Sequence, residues 1–156
     1  MMSRMQKTDF YQSLAKQAEG LISDEKNAIA NMANLSALLF TSLDDVNWAG
    51  FYLIDTPDEL VLGPFQGNPA CIRIPVGKGV CGTAAHSKST QLVEDVHAFA
   101  GHIACDAASN SEIVVPVFKN GEVFGVLDID SPLHARFDLD DQAGLEQIVK
   151  IFEATL

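Results

Sequence analysis

Two strongly β-forming runs joined by an Asn-Gly pair constrain this chain more than any other feature. The runs cover residues 113–118 and 123–129, and Lys119-Asn120-Gly121-Glu122 joins them. Asn-Gly favours a type I′ turn, because both central residues of that turn need a positive φ. The pattern therefore predicts a tight hairpin and, with it, an antiparallel sheet.

Periodic patterns on either side of the hairpin predict the other elements. Apolar residues at helical spacing predict a helix over residues 8–22 and a second helix, capped by Asp24, that carries residues 28–39. Strands are predicted over residues 47–54, 59–65, 71–75 and 91–94, with a short helix near 83–87 and a last helix capped by Asp138. This order predicts an α+β fold, with a central antiparallel sheet flanked by N-terminal and C-terminal helices.

Length and charge limit the classes of partner. The chain has 156 residues, 47% of them hydrophobic, which fits a single domain over residues 1–156. A formal net charge of −11 disfavours nucleic acid and anionic membranes as partners. No segment resembles a signal peptide or approaches the roughly 20 apolar residues that span a bilayer. We therefore expect a cytoplasmic protein.

Three cysteines, Cys71, Cys81 and Cys105, are the candidate reactive groups. An odd number without a secretion signal argues against a structural disulfide framework, and the intervals 72–80 and 82–104 do not fit zinc-ligand spacing. A metal site completed in three dimensions by histidines is the alternative, but no H-E-x-x-H or similar pair supports it, so no metal is expected. These histidines are His86, His97, His102 and His134. Cys81 lies among glycines near a helix start and Cys105 lies in the aperiodic stretch 95–110, two settings that favour a thiolate. The alternative for each is a buried, inert thiol.

Acidic residues extend an apolar strand face in the last hairpin. Alternation places Asp128 and Asp130 with Val126, opposite Val123, Gly125, Leu127 and Ile129. The same alternation places Glu112 with Val114, but only the register decides whether Glu112 shares the face of the aspartates. Such a cluster can bind an ammonium group and hold a proton. The alternative is that Asp128 and Asp130 only end the strand and bond the turn at Ser131-Pro132.

Two aromatic residues, Trp48 and Tyr52, are predicted to lie on one face of the same strand. Gly50 between them is expected to leave a gap in which a small apolar group could sit. Ordinary core packing of the two rings is the alternative.

Several segments together resemble the signature of the free methionine-(R)-sulfoxide reductases, which are stand-alone GAF-domain enzymes. The resemblance covers nearly the whole chain and includes all three family cysteines. Its segments are Gly63-Pro64-Phe65-Gln66-Gly67-Asn68-Pro69-Ala70-Cys71-Ile72-Arg73-Ile74-Pro75, residues 77–85 (GKGVCGTAA), 47–52 (NWAGFY), 102–106 (HIACD), 111–116 (SEIVVP) and 125–131 (GVLDIDS).

The resemblance implies a role for each cysteine. Cys105 would attack the sulfoxide sulfur, release methionine and be left as a sulfenic acid. Cys71 would resolve that acid as a disulfide, with Cys81 as an alternative or additional exchanging thiol. Thioredoxin would reopen the disulfide, and no cofactor is expected.

The resemblance also assigns the substrate site. Glu112, Asp128 and Asp130 would grip the ammonium of the free amino acid and supply a proton to the sulfoxide oxygen. Trp48 and Tyr52 would cradle the S-methyl group, while the loop 95–106 would close over the ligand with Asp106 helping to hold it. A homodimer and the preference for the R sulfoxide are likewise expectations that come from the family.

Two other functions compete with this one. A GAF sensor would bind a small ligand, such as a nucleotide, without catalysis, although the chain lacks an N-K-F-D-E type motif. A redox switch would report cysteine oxidation to a partner protein. A catalyst alone consumes reductant in proportion to added sulfoxide.

Overall fold

The structure is a computed structural model that describes residues 2–103 and 107–156. Its elements follow in the order α1 (Arg4–Ile22), α2 (Ala28–Ser42), β1 (Trp48–Thr56), β2 (Glu59–Gly67), β3 (Arg73–Pro75), α3 (Gly79–Ser87), β4 (Gln91–Val93), a 3-10 helix (Val96–Ala98), β5 (Ser111–Lys119), β6 (Glu122–Ser131) and α4 (Leu139–Glu153). Within the described ranges, no helix is both long and apolar enough to cross a bilayer.

The strands form one sheet in the order β3-β2-β1-β6-β5-β4, and each neighbouring pair is antiparallel. The predicted α+β class is confirmed. The predicted hairpin joins β5 to β6: Lys119 pairs with Glu122, and Asn120 and Gly121 have φ values of 53° and 79°. Both central residues thus have the positive φ that a type I′ turn requires.

Five predicted element starts are wrong by two residues or more. Helix α1 begins at Arg4 and not at residue 8, because Ser3 caps it, and β5 begins at Ser111 and not at residue 113. Asn27, not Asp24, caps α2, and its side chain accepts a hydrogen bond from the Ala30 amide at 3.0 Å. Helix α3 begins at Gly79 instead of residue 83, because burial of Val80 and its neighbours against the sheet outweighs the weak helix propensity of glycine. Strand β3 begins at Arg73, so Cys71 lies in the loop before it.

The sheet separates two apolar clusters, because successive side chains of a strand point to opposite faces. Helices α2 and α4 cover one face, where Phe51, Leu127 and Ile129 belong to the core, and α1 packs on these two helices. Helix α3 and the loops cover the other face, where Val114 and Val126 lie beside charged side chains. The second face of the sheet therefore carries the buried carboxyl groups of β5 and β6.

We expect Gly50→Ala to destabilise the fold by about 1–3 kcal/mol, the usual cost of overpacking. A Cβ atom at Gly50 would lie 2.2 Å from Phe65 Cβ and 2.7 Å from Phe65 Cα, so the backbone of β2 would have to move. Gly20→Ala is the control, since nothing lies within 4 Å of a Cβ atom there and alanine favours the helix. Urea unfolding of both variants tests this, and equal stabilities would contradict it.

Candidate active site

Three carboxyl groups meet on the α3 side of the sheet. The register pairs Glu112 of β5 with Asp130 of β6 and Val114 with Asp128. Glu112, Asp128 and Asp130 are 8%, 5% and 9% exposed. The prediction that the two aspartates share a face with Val126 is confirmed, and the register, which the sequence left open, adds Glu112 to the cluster.

The predicted face of one neighbouring residue is wrong. Val123 was placed on the face of Gly125 and Leu127, but it packs against the cluster that contains Val126, while Phe124 packs on the opposite side. The pairing shifts by one residue between Val117 and Phe118, which indicates a β-bulge beside Phe124. A bulge adds one residue and reverses the alternation beyond it.

Burial determines the proton affinity of this cluster. It raises the pKa of Glu112 well above its usual range, and the negative charge of Asp128 adds to the effect. Burial raises the pKa of Asp128 as well, followed by the charge of Asp130. Among the described residues that line the cavity there is no lysine or arginine to offset these charges. The cluster is therefore suited to hold protons or to bind an added cation.

Asp128 has an unmet hydrogen-bonding capacity. Its Oδ1 atom is buried and accepts no hydrogen bond from any residue that the structure describes. The turn after β6 is instead held by Ser131, whose Oγ accepts a bond from the Leu133 amide at 3.0 Å, and by Asn110, whose side-chain amide donates to the Pro132 carbonyl at 2.7 Å. The unbonded oxygen of Asp128 therefore indicates a role in binding a ligand and not a role in holding that turn.

Cys81 lies in the first turn of α3, and its Sγ is 4.0 Å from Glu112 Oε2. The side chain is a free thiol and only 4% exposed. Burial raises the pKa of this thiol well above its usual range, and the charges of Asp128 and Glu112 raise it further. The structure therefore favours a neutral thiol here, although a helix N-terminus was expected to favour the thiolate. Cys81, Glu112 and Asp128 are the described residues that could hold a metal ion.

These groups line a cavity of about 50 Å³ between α3 and the sheet. A water molecule needs roughly 10–15 Å³ of such space, so the cavity has room for a small group. Its lining residues are Trp48, Tyr52, Ala70, Ile74, Gly79, Val80, Cys81, His102, Ile103, Ser109, Glu112, Asp128 and Asp130.

Both predicted aromatic residues line this cavity. The Trp48 and Tyr52 rings stack with centroids 5.8 Å apart, and each ring also fixes the loop after β2. Trp48 Nε1 donates to the Asn68 carbonyl at 3.0 Å, and the Tyr52 hydroxyl donates to the Cys71 carbonyl at 2.8 Å. The expected gap at Gly50 is wrong, because Phe65 of β2 occupies that space and stacks on Trp48 at 5.0 Å.

The two cysteines that the structure describes differ in whether they form a disulfide. Cys71 is half-buried and disulfide-bonded, next to Ala70, which lines the cavity. Cys81 is free. The predicted nucleophile Cys105 and the predicted contact Asp106 lie outside the described residues.

Three residues to which the sequence assigned no role in the substrate site also line the cavity: His102, Ile103 and Ser109. Ser109 is 7% exposed, and its Oγ accepts a hydrogen bond from the Asn47 side chain at 3.3 Å. Burial lowers the pKa of His102, as does nearby His97. All three lie in the aperiodic stretch 95–110. His102 and Ile103 belong to the segment 102–106 that carries the family resemblance, whereas Ser109 lies outside every such segment.

We expect Tyr52→Phe to lower the stability of the fold by about 1 kcal/mol, because it removes the hydrogen bond to the Cys71 carbonyl and keeps the ring. For a chain of this size the melting temperature should fall by about 2–4 °C. Differential scanning calorimetry tests this. An unchanged melting temperature would show that the bond contributes no net stability.

Comparisons with known proteins agree with this geometry. The GAF domain family model matches residues 32–156. The chain is 55% identical over 152 residues to the free methionine-R-sulfoxide reductase of Escherichia coli, covering 97% of this chain and 92% of that protein.

Solved structures are similar over nearly their full length. The fRMsr of Staphylococcus aureus in complex with substrate matches with a TM-score of 0.89 and 59% identity, covering 94% of this chain and 95% of that one. The free methionine-R-sulfoxide reductase of Neisseria meningitidis in complex with its substrate matches with a TM-score of 0.92 and 47% identity, covering 96% and 89%.

Proposed function

Because the chain belongs to the free methionine-R-sulfoxide reductases, a family of GAF-domain oxidoreductases, we propose that it reduces free L-methionine (R)-sulfoxide with Cys105 as the nucleophile. The observation that carries this proposal is the buried cavity in which three carboxyl groups lie beside two stacked aromatic rings. The cavity suits a small zwitterion that is cationic at one end and apolar at the other.

Recognition of the free amino acid depends on its ammonium group. Glu112, Asp128 and Asp130 bind this group, and the unbonded Oδ1 of Asp128 accepts one of its protons. Trp48 and Tyr52 contact the S-methyl end. Methionine sulfoxide within a peptide is refused, because acylation removes the positive charge and leaves the buried carboxylates without a partner.

The first chemical step forms a sulfenic acid. The sulfur of Cys105 attacks the sulfoxide sulfur while a carboxyl group of the cluster protonates the sulfoxide oxygen. The S–O bond of the substrate breaks, its oxygen ends on Cys105 as the sulfenic acid, and methionine leaves. Glu112, Asp128 and Asp130 are the candidate proton donors, since each lines the cavity.

The second step forms a disulfide between Cys71 and Cys105 and releases water. Cys71 is disulfide-bonded, Cys81 is a free thiol, and Cys105 is the third cysteine of the chain. These observations support Cys71 as the resolving cysteine and make Cys81 the weaker choice. Thioredoxin then reduces the disulfide by thiol exchange, which suits a reducing compartment such as the cytoplasm.

Substrate closure and assembly complete the proposal. The loop 95–106 covers the bound amino acid, and Asp106 contacts it. The whole chain acts as one GAF domain within a homodimer. Sedimentation velocity at several concentrations measures the assembly, and a monomer at every concentration would refute that part alone.

One coupled assay tests the function. The protein, thioredoxin, thioredoxin reductase and NADPH are mixed with free methionine (R)-sulfoxide, the S epimer or N-acetyl-methionine sulfoxide. We expect continuous NADPH oxidation with the free R epimer alone. No oxidation with any of the three would favour a ligand sensor, and oxidation driven by peroxide instead would favour a redox switch.

A further inference from the structure

Three donor atoms of the cavity are arranged as metal ligands. Cys81 Sγ and one carboxylate oxygen each of Glu112 and Asp128 lie within 4.8 Å of one another. Around Zn²⁺, thiolate sulfur lies at about 2.3 Å and carboxylate oxygen at about 2.1 Å, so two tetrahedral ligands are about 3.6 Å apart. The observed 4.0 Å between Cys81 Sγ and Glu112 Oε2 is close to that spacing.

The unmet hydrogen bonding and the burial of these side chains are a second observation that indicates a bound cation. Asp128 is 5% exposed, and its Oδ1 lacks a hydrogen-bond partner within the described ranges. Cys81 is free and 4% exposed. Since no lysine or arginine among the described residues lines the cavity, a ligand must supply any compensating positive charge.

We infer that Cys81, Glu112 and Asp128 form a binding site for a thiophilic divalent cation such as Zn²⁺, and that the metal and the amino-acid substrate exclude each other from the cavity. The sulfur binds as thiolate, so binding releases the thiol proton together with any proton held by the two carboxyl groups. A thiolate ligand selects Zn²⁺ or Cd²⁺ over Mg²⁺ and Ca²⁺, which need six or more oxygen ligands.

The metal site would regulate the reductase by occupying the groups that hold the ammonium. Metal binding itself does not depend on the proposed function, whereas mutual exclusion with methionine sulfoxide does. Three protein ligands leave a fourth position for water. The substrate displaces the ion because its ammonium group binds to the same carboxylates, Glu112 and Asp128. Free zinc would then act as a competitive inhibitor.

The test uses a double variant, Cys71→Ser with Cys105→Ser, whose remaining thiol is Cys81. Cd²⁺ is titrated at neutral pH in a buffer that does not chelate metals, and the thiolate-to-cadmium absorption band is followed in the ultraviolet. We expect one ion per chain and a band that saturates. Cys81→Ser in this background should abolish the band, and Asp128→Asn should weaken binding at least about tenfold, the loss seen when even an outer partner of a metal ligand is removed.

Controls separate the metal site from the catalytic proposal. Glu122→Gln, at an exposed carboxylate of β6, should leave Cd²⁺ binding unchanged. Adding free methionine (R)-sulfoxide, which the double variant cannot reduce, should displace Cd²⁺. Absence of the band, a band that survives Cys81→Ser in a folded variant, or binding that ignores the sulfoxide would each overturn the inference. Failure of the proposed function appears separately, as inactivity of the metal-free wild-type protein in the coupled assay.

Discussion

Cys105→Ser is expected to abolish the release of methionine from free methionine (R)-sulfoxide, including the first stoichiometric turnover. A serine hydroxyl is a much weaker nucleophile than a thiolate, so we expect the rate to fall by roughly 10⁴-fold or more, as on removal of a nucleophile in other enzymes. Rapid quench of excess enzyme with substrate, followed by measurement of methionine, tests this without any reductant.

Cys71→Ser is the matched variant, because it removes a thiol and spares the nucleophile. It should release one methionine per chain and then stall, with a sulfenic acid that dimedone traps. Full activity of Cys105→Ser would move the nucleophile to Cys81. The 4% exposure of Cys81 and its raised pKa oppose that role, since attack requires an accessible thiolate.

Local signals in the sequence predicted most of the fold. The Asn120-Gly121 turn was predicted correctly, because few residue pairs other than Asn-Gly readily adopt a positive φ at two successive positions. Asp138 was identified correctly as the cap of α4, where its side chain accepts bonds from the Asp140 and Asp141 amides. The start of α3 was predicted incorrectly. Packing of Val80 on the sheet is a tertiary contact, and the local glycine-rich sequence does not predict it.

The candidate site could be predicted only in part. Alternation placed Asp128 and Asp130 on one face, but a bulge beside Phe124 and the register with Glu112 depend on pairing between strands. The sequence of β1 alone predicts a gap at Gly50, because it does not reveal which side chains of the neighbouring strand pack there. Phe65 of β2 fills that space. Ser109 was missed, since an aperiodic loop does not reveal which side chains turn inward.

Asp128→Asn and Glu112→Gln are expected to weaken substrate binding and slow the reaction together. Each variant removes negative charge that faces the ammonium and a group that can donate a proton, so kcat/KM should fall by at least about 100-fold. The coupled assay measures both parameters. Unchanged kinetics in both variants would reduce these acids to a structural role at the ends of β5 and β6.

The same Asp128→Asn change should stabilise the fold above acidic pH. Burial raises the pKa of Asp128 in the folded protein, and the groups around it, Glu112, Asp130, Cys81 and Tyr52, supply no positive charge. The unfolded chain loses this proton at about pH 4, so wild-type stability falls as pH rises from there toward the folded pKa, by about 1.4 kcal/mol per pH unit. Asparagine does not titrate and avoids that loss.

Thermal melts with a chelator present, at pH 4 and pH 7.5, distinguish a functional acid from a structural one. We expect Asp128→Asn to melt near the wild-type temperature at pH 4 and above it at pH 7.5, while kcat/KM at pH 7.5 is lost. A carboxylate retained for stability would give the opposite result, with a lower melting temperature at pH 7.5. If Asp128→Asn gains stability and loses activity, the buried carboxyl group lowers the stability of the fold and is required for substrate binding or catalysis.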